Sequence, residues 1–145
     1  MNENMELMMH VYETSEMGVY STKTLLKSLK NKENKIKHVL EMELKEYEKF
    51  MKISKKILLS NKIEPKDTSL MTKMGSSIGI SMETMMDNSD SAISSMLIEG
   101  LTMGITEMEN KLEQYKKVCE KKYTKICKDF IEFNENEIAK LKEFL

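Results

Sequence analysis

The sequence has no arginine and no tryptophan: its 23 basic residues are all lysine, against 24 acidic residues in 145. Bidentate guanidinium contacts to phosphates or guanine edges are therefore excluded, and we expect no nucleic-acid partner. No stretch is as long and apolar as a membrane span, and no apolar run follows a basic N-terminus as in a secretion signal. We expect a cytoplasmic protein with no membrane span.

Proline, glycine and cysteine are also scarce, with one, five and two residues. The glycines do not form a phosphate-binding loop. Cys119 and Cys127 would lie about 12 Å apart on one helix, too far for a disulfide, although a turn between them weakens this argument. Neither has the neighbouring His or Cys of a zinc site, so we expect both to be small core residues.

Apolar residues instead recur at helical spacing over most of the chain. A first helix covers about 5–29, with Gly18 beside its apolar stripe, where a neighbouring helix can approach closely. The polar residues 30–34 predict a turn, and a second helix covers about 35–61. Pro65 ends this hairpin, because proline cannot continue a helix.

The stretch Ser91–Ile105 contains a single charge, Glu99, and we expect it to be the most buried helix. Asp87-Asn88-Ser89-Asp90 supplies capping residues before it. A shift of 86 residues places the first turn over residues 117–119, which favours a second turn near 117–121, but a continuous helix to the C-terminus is the alternative. Either another copy of the chain or the weakly charged segment 68–86 can cover the outer side of this helix.

These segments predict an all-α protein with one domain, 1–145: a hairpin over 5–61, a helical crossover over 62–89 and a hairpin over 90–145. Three short motifs accompany this pattern: Tyr47-x-x-Phe50, the turn Glu64-Pro65-Lys66-Asp67, and Met-Gly-Ile at 103–105. Together they resemble a bacterial ferritin-like family of unknown function. The resemblance implies a ferritin-like four-helix bundle with one long crossover, and no established reaction.

A di-iron bundle needs inward Glu-x-x-His motifs, and this chain has none. Its two histidines, His10 and His38, lie nearly opposite the apolar stripes of their helices. No histidine is therefore expected in a core or cleft where it could activate a nucleophile. We assign no catalytic residues, and the sequence leaves enzymatic activity undecided while favouring none.

Glu43, Asn134 and Glu137 nevertheless occupy core positions of their helices. A buried carboxylate must be paired, hydrogen-bonded, protonated or bound to a metal. The favoured interpretation is a hydrogen bond to a tyrosine hydroxyl, Asn134 or a lysine, or a position near a wet end of the helices. The alternative is a histidine-free oxygen site for iron or manganese, with ligands Glu16, Glu43, Glu99 and Glu137.

Methionine is abundant, with 15 residues. Three groups place thioethers on shared helix faces, and thioethers bind copper(I), which is a third interpretation; the groups are Met5-x-x-Met8-Met9, Met71-x-x-Met74 and Met82-x-x-Met85-Met86. Methionine more often fills cores and adaptable interaction surfaces. We therefore predict no cofactor, and an interaction or self-assembly module that binds a protein partner or forms a homo-oligomer.

Overall fold

The computed structural model describes residues 1–65 and 87–145, which form four helices and no strand. The helices are α1 (Glu3–Ser28), α2 (Lys37–Ser60), α3 (Asp90–Tyr115) and α4 (Lys121–Lys142). The predicted all-α class is confirmed for these residues. None of these helices has the length and apolar content that crossing a bilayer requires.

Two turns divide the helices into hairpins, as the sequence predicts. Residues 29–36 separate α1 from α2, and residues 116–120 separate α3 from α4, so the continuous C-terminal helix is excluded. α1 packs mainly on α2 and α3 mainly on α4, while α1 also contacts both helices of the second hairpin and α2 contacts α4. The division of the chain into a single domain stays a prediction.

Side chains of one hairpin cap helices of the other at both ends of this arrangement. The Asp90 carboxylate, at the start of α3, accepts hydrogen bonds from the backbone amides of Lys35 (3.1 Å) and Ile36 (3.4 Å) at the start of α2. Asn4, in α1, accepts from the amide of Glu120 at 2.9 Å, just before α4. These amides have no partner within their own helices, so each cap also fixes how the two hairpins meet.

Four rings hold α2 against α4 in the core: Tyr47 and Phe50 from α2, and Phe130 and Phe133 from α4. Tyr47 contacts Phe133 edge-on at 5.1 Å between ring centroids, and Phe50 contacts Phe130 in the same way at 5.1 Å. Along α2 Tyr47 precedes Phe50, but their partners on α4 come in the reverse order, Phe133 and then Phe130. The two helices are therefore antiparallel. We call these four residues the aromatic cluster.

The expectation that the helix beginning at Ser91 is the most buried is wrong. Five residues of α3 are buried, against ten of α1, and Met103 is 66% exposed. The physical reason is position, since among the described helices α1 contacts three others and so buries a broad face, whereas α3 contacts two. A low charge content therefore indicated an uncharged surface here, not a buried one.

α2 ends close to the predicted boundary near residue 61, ahead of Pro65. Its last helical residue is Ser60, and Lys62 adopts the left-handed conformation with φ of 60°. The amide of Ile63 then donates to the carbonyl of Leu58 at 2.9 Å, and that of Lys62 to Leu59 at 3.0 Å, which is the Schellman arrangement. The predicted crossover helix lies largely outside the described residues.

Candidate functional site

A pair of buried carboxyl groups, Glu43 of α2 and Glu137 of α4, lies in the core beside the aromatic cluster. Each residue is 2% exposed, as is Asn134, one turn before Glu137. Helical spacing explains this placement, because Glu43 occupies the face of α2 that carries Leu40 and Tyr47. The predicted burial of these three polar residues is confirmed.

Tyr47 is held in place by Gly18 of α1. A Cβ atom built on Gly18 would lie 2.5 Å from Cδ1 of the Tyr47 ring, so only glycine leaves room for the ring to rest on the α1 backbone. On its other side the ring meets Phe133. The tyrosine hydroxyl is thereby presented to Glu43, one turn earlier on α2, and hydrogen-bonds to its carboxyl group.

Glu137 has a different partner, the ammonium group of Lys140, one turn later on α4. Lys140 Nζ donates to Glu137 Oε1 at 3.1 Å, and the lysine side chain is 54% exposed while that of Glu137 is 3% exposed. Glu43 Oε2 and Glu137 Oε2 are buried without a hydrogen-bond partner among the described residues. A tyrosine hydroxyl and a lysine were among the hydrogen-bond partners that the sequence analysis favoured for these carboxyl groups.

Burial raises the pKa of both carboxyl groups of this pair. Removal from water, and then the nearby Glu137 carboxylate, raise the pKa of Glu43 from its usual 4.5 to about 8, while Lys140 and the Tyr47 hydroxyl oppose the shift only in part. Burial also raises the pKa of Glu137, against the opposing effect of Lys140. Near pH 7, Glu43 is therefore protonated, and Glu137 lies beside the Lys140 ammonium group that opposes the rise of its pKa.

This arrangement can store a proton on Glu43 near neutral pH. Glu137 and Lys140 line an open groove between α2 and α4, which gives the pair a route to solvent. Neither histidine joins it: His38 is exposed, and His10 lies on α1 near Lys111 of α3. Within residues 1–65 and 87–145 we find no nucleophile–base–orienting-group set around the pair.

Of the four carboxylates proposed as metal ligands, the structure brings only Glu43 and Glu137 together. Glu16 is buried on α1 at 9% exposure, and Glu99 is exposed on α3. No group of three or more His, Cys, Asp or Glu side chains in the described ranges is arranged to hold a metal ion. The carboxylate pair alone does not fit a di-iron centre, which needs several converging ligands.

His10 is a titratable residue whose burial the sequence analysis did not predict. Burial, and secondarily Lys111, lower its pKa from 6.5 to about 4, and its Nε2 atom is buried without a partner among the described residues. The sequence analysis did not predict the burial of His10 because α1 presents a second face to α3. The main apolar stripe of α1 does not reveal that second face. His10 is therefore uncharged at neutral pH.

The described sulfur-containing residues divide between the core and the surface: Met42 and Met103 are exposed. Met5 and Met8 are buried in the core, at 3% and 0% exposure, while the methionines at positions 71–86 lie outside the described residues. Cys127 is buried and Cys119, in the turn before α4, is half-buried; both are free thiols. Burial raises the pKa of Cys127 to about 12, so this thiol is unreactive at neutral pH.

Comparison with known proteins adds no assignment to this site. No family model matches the chain, and neither a curated protein nor a solved structure is significantly similar to it. The resemblance to a ferritin-like family therefore stays a prediction based on the short motifs alone.

Proposed function

We propose that this protein is a non-catalytic helical-bundle module that associates with a second copy of itself through the outer face of α3. The observation that supports this proposal is the low charge of that face. Between Ser91 and Ile105 its one charge is Glu99, whereas the outer faces of the other helices are rich in lysine and glutamate. Met103, in the middle of this face, is 66% exposed.

Small side chains make this face suitable for close helix packing. Gly100 is exposed and Gly104 half-exposed, and a Cβ atom built on either glycine would meet nothing within 4 Å. Serine and threonine occupy other exposed positions of the same stretch, including Ser95 and Thr102. Small residues lose little conformational entropy when they become buried, so the cost of covering this face is low.

A second copy is the partner that the pattern on α3 supports. In a two-fold contact with antiparallel helices centred between Leu101 and Thr102, Met103 of each copy meets Gly100 of the other. The methionine side chain then occupies the space that glycine leaves open. Such an isologous contact closes at a dimer.

The test is the oligomeric state over a range of concentrations, measured by sedimentation velocity. We expect a reversible monomer–dimer equilibrium that Met103→Lys shifts toward monomer, because two lysines would then be buried against apolar surface. Val118→Lys is the matched control, since Val118 is 65% exposed but lies in the turn after α3.

A monomer at all concentrations up to the millimolar range would refute the proposal, as would equal effects of the two substitutions. A dimer that responds to Met103→Lys and not to Val118→Lys would support it. Circular dichroism of both variants should show unchanged helix content, because both side chains are exposed.

We propose in addition that the topology is ferritin-like, with residues 62–89 as a long crossover. Supporting this, Asp90 caps the start of α2 from the start of α3, so both helices begin at the same end and α2 finishes at the other. Residues 61–89 must therefore connect opposite ends of the bundle. Distances between spin labels at Ser60 and Asp87, about the length of α2 apart, would test this arrangement.

Metal binding is the alternative function, and it stays a prediction. The nearby carboxyl groups of Glu43 and Glu137 favour it, but iron or manganese would need ligands beyond this pair. Elemental analysis after anaerobic incubation with iron(II) and manganese(II) tests it: Glu43→Ala should abolish retention and Glu135→Ala, at an exposed site on α4, should not. Copper(I) binding by methionine is tested by titration of the same protein.

A further inference from the structure

Two lysine-rich segments that are distant in sequence carry no intervening acidic residue. The second half of α2 contains Lys49, Lys52, Lys55 and Lys56, with no Asp or Glu over residues 49–63. The first half of α4 contains Lys121, Lys122, Lys125 and Lys128, with no Asp or Glu over residues 121–128. All eight side chains are exposed.

The tertiary structure brings these two segments to the same half of the molecule. α2 and α4 are antiparallel neighbours, joined by the contact between Phe50 and Phe130. Residues after Phe50 therefore lie beside residues before Phe130. We call the resulting patch of eight lysines the basic surface; within it, Lys125 also forms an ion pair at 2.8 Å with Asp129, at the edge of the patch.

Much of the opposing charge at this end lies on α1 and α3, while Glu46, Asp129 and Glu132 line the groove between α2 and α4 beside Lys49. The first half of α1 carries Glu3, Glu6 and Glu13, and the last half of α3 carries Glu107, Glu109 and Glu113. These segments occupy the same end of the molecule as the basic surface, as the contact between Asn4 and Glu120 shows. The chain has a net charge of −1, but its charges are separated across this end.

Exposed apolar side chains accompany the lysines. Leu59 is 50% exposed and Ile53 is 37% exposed, and Leu59 shares a shallow depression with Lys52, Lys55 and Lys56. Lysine stems are themselves apolar and flexible, so the ammonium groups can spread away while leucine and isoleucine insert between them. Positive charge with interspersed aliphatic side chains is the composition of a membrane-surface contact.

We propose that the basic surface binds the headgroups of an anionic lipid bilayer, so that the protein associates peripherally with such membranes. Lysine ammonium groups attract the diffuse negative charge of anionic lipids without requiring a fixed geometry. A nucleic acid fits this surface less well, because the chain has no arginine for bidentate contacts and Tyr123, the aromatic residue of the α4 segment, is buried beneath Lys122 and so not open to base stacking.

The test is co-sedimentation of the intact protein with vesicles of phosphatidylcholine alone or with about one-third phosphatidylglycerol. We expect binding to the anionic vesicles, weakening as salt rises. Each lysine near an anionic surface strengthens partitioning by about fivefold. The variant with Lys52→Gln, Lys55→Gln and Lys56→Gln should therefore bind about a hundredfold more weakly.

The matched control removes three exposed lysines from α1 and the turn after it, with Lys23→Gln, Lys27→Gln and Lys30→Gln. This control variant has the same net charge as the Lys52/Lys55/Lys56 variant but keeps the basic surface intact. It should therefore bind as the wild type does. Leu59→Ser should weaken binding without changing its salt dependence. Equal loss in both triple variants, equal binding to neutral vesicles, or equal competition by a DNA duplex of the same phosphate concentration would overturn the proposal.

Discussion

The backbone of Gly18 in α1 supports the ring of Tyr47 in α2, and this contact determines where the tyrosine hydroxyl meets Glu43. A Cβ atom at position 18 would approach Cδ1 and Cε1 of that ring to 2.5 Å. The carbonyl of Gly18 also accepts a hydrogen bond from Thr22 Oγ1 at 2.7 Å, so the α1 backbone at this point is held from within its own helix. The buried carboxyl pair therefore depends on a glycine in a third helix.

Gly18→Ala should destabilise the fold. Overpacking against the Tyr47 ring costs about 1–3 kcal/mol, and the higher helix propensity of alanine returns only about 1 kcal/mol. Gly100→Ala is the control, because its Cβ meets nothing within 4 Å and should give the propensity gain alone. Urea unfolding of both variants measures the difference; equal stabilisation by both would show that Tyr47 moves aside without cost.

Glu43 should make the protein less stable as pH rises from 6.5 to 8. In the folded state its pKa is about 8, and in the unfolded state it is near the usual 4.5, so in this range the folded protein holds a proton that the unfolded chain has lost. Unfolding then becomes easier by up to about 1.4 kcal/mol per pH unit. The raised pKa of Glu137 acts in the same direction.

The isosteric variant Glu43→Gln should remove most of this slope, since glutamine carries no proton to lose. Free energies of unfolding in urea at pH 6.5, 7.2 and 8 are the measurement. Glu135→Gln, at an exposed position on the same helix as Glu137, should retain the wild-type slope. A flat profile in the wild type would contradict the buried, protonated state of Glu43.

His10 should produce the opposite dependence at lower pH. Its pKa is about 4 when folded and about 6.5 when unfolded, so below pH 6.5 the unfolded chain takes up a proton that the folded protein excludes. This contribution to stability is complete above pH 6.5 and is lost as pH falls toward 4. In the Glu43→Gln background, stability should therefore rise between pH 4 and 6.5, and His10→Gln should abolish that rise. A direct NMR titration of the imidazole provides an independent check, and a pKa near 6.5 would refute the prediction.

Lys62→Gly should stabilise the protein by about 0.5–1 kcal/mol. Lys62 has a φ of 60°, and the left-handed conformation costs a residue with a Cβ atom about 1–2 kcal/mol, which exceeds the entropy that glycine adds to the unfolded chain. Lys56→Gly, within α2, should instead destabilise by about 1 kcal/mol, since there glycine only lowers helix propensity. Thermal unfolding of the two variants should shift in opposite directions; shifts of the same sign would exclude the strained cap.

Asp90→Ala should cost about 1–2 kcal/mol, because it removes the acceptor of the amides that begin α2. Asp87→Ala is the comparison: Asp87 accepts hydrogen bonds from the amide and the side chain of Ser89, within its own loop. Hydrogen exchange at Lys35 and Ile36 should accelerate in Asp90→Ala and not in Asp87→Ala. Unchanged exchange at both amides would show that the cap is dispensable.

Much of this fold follows from the sequence because helices are local structures. The four apolar patterns, the turns near residues 30 and 118, and the cap at Ser89 depend on residues within a few positions of each other. The burial of Glu43 and Glu137 follows in the same way, since each occupies the core side of a strongly periodic helix. Their partners were foreseen only as residue types, a tyrosine hydroxyl and a lysine.

Only the tertiary structure determines which helix faces pack against one another. Over residues 1–65 and 87–145, the sequence by itself determined four helices, two hairpins and buried acids, because periodicity and turn chemistry act over short distances. It did not determine that α1 buries more than α3, that His10 lies near Lys111, that Asp90 caps α2, or that two lysine segments about seventy residues apart form one surface. These facts depend on the order in which helices pack around the core, and that order is set by the sum of many weak contacts between helices and is not encoded in any one segment.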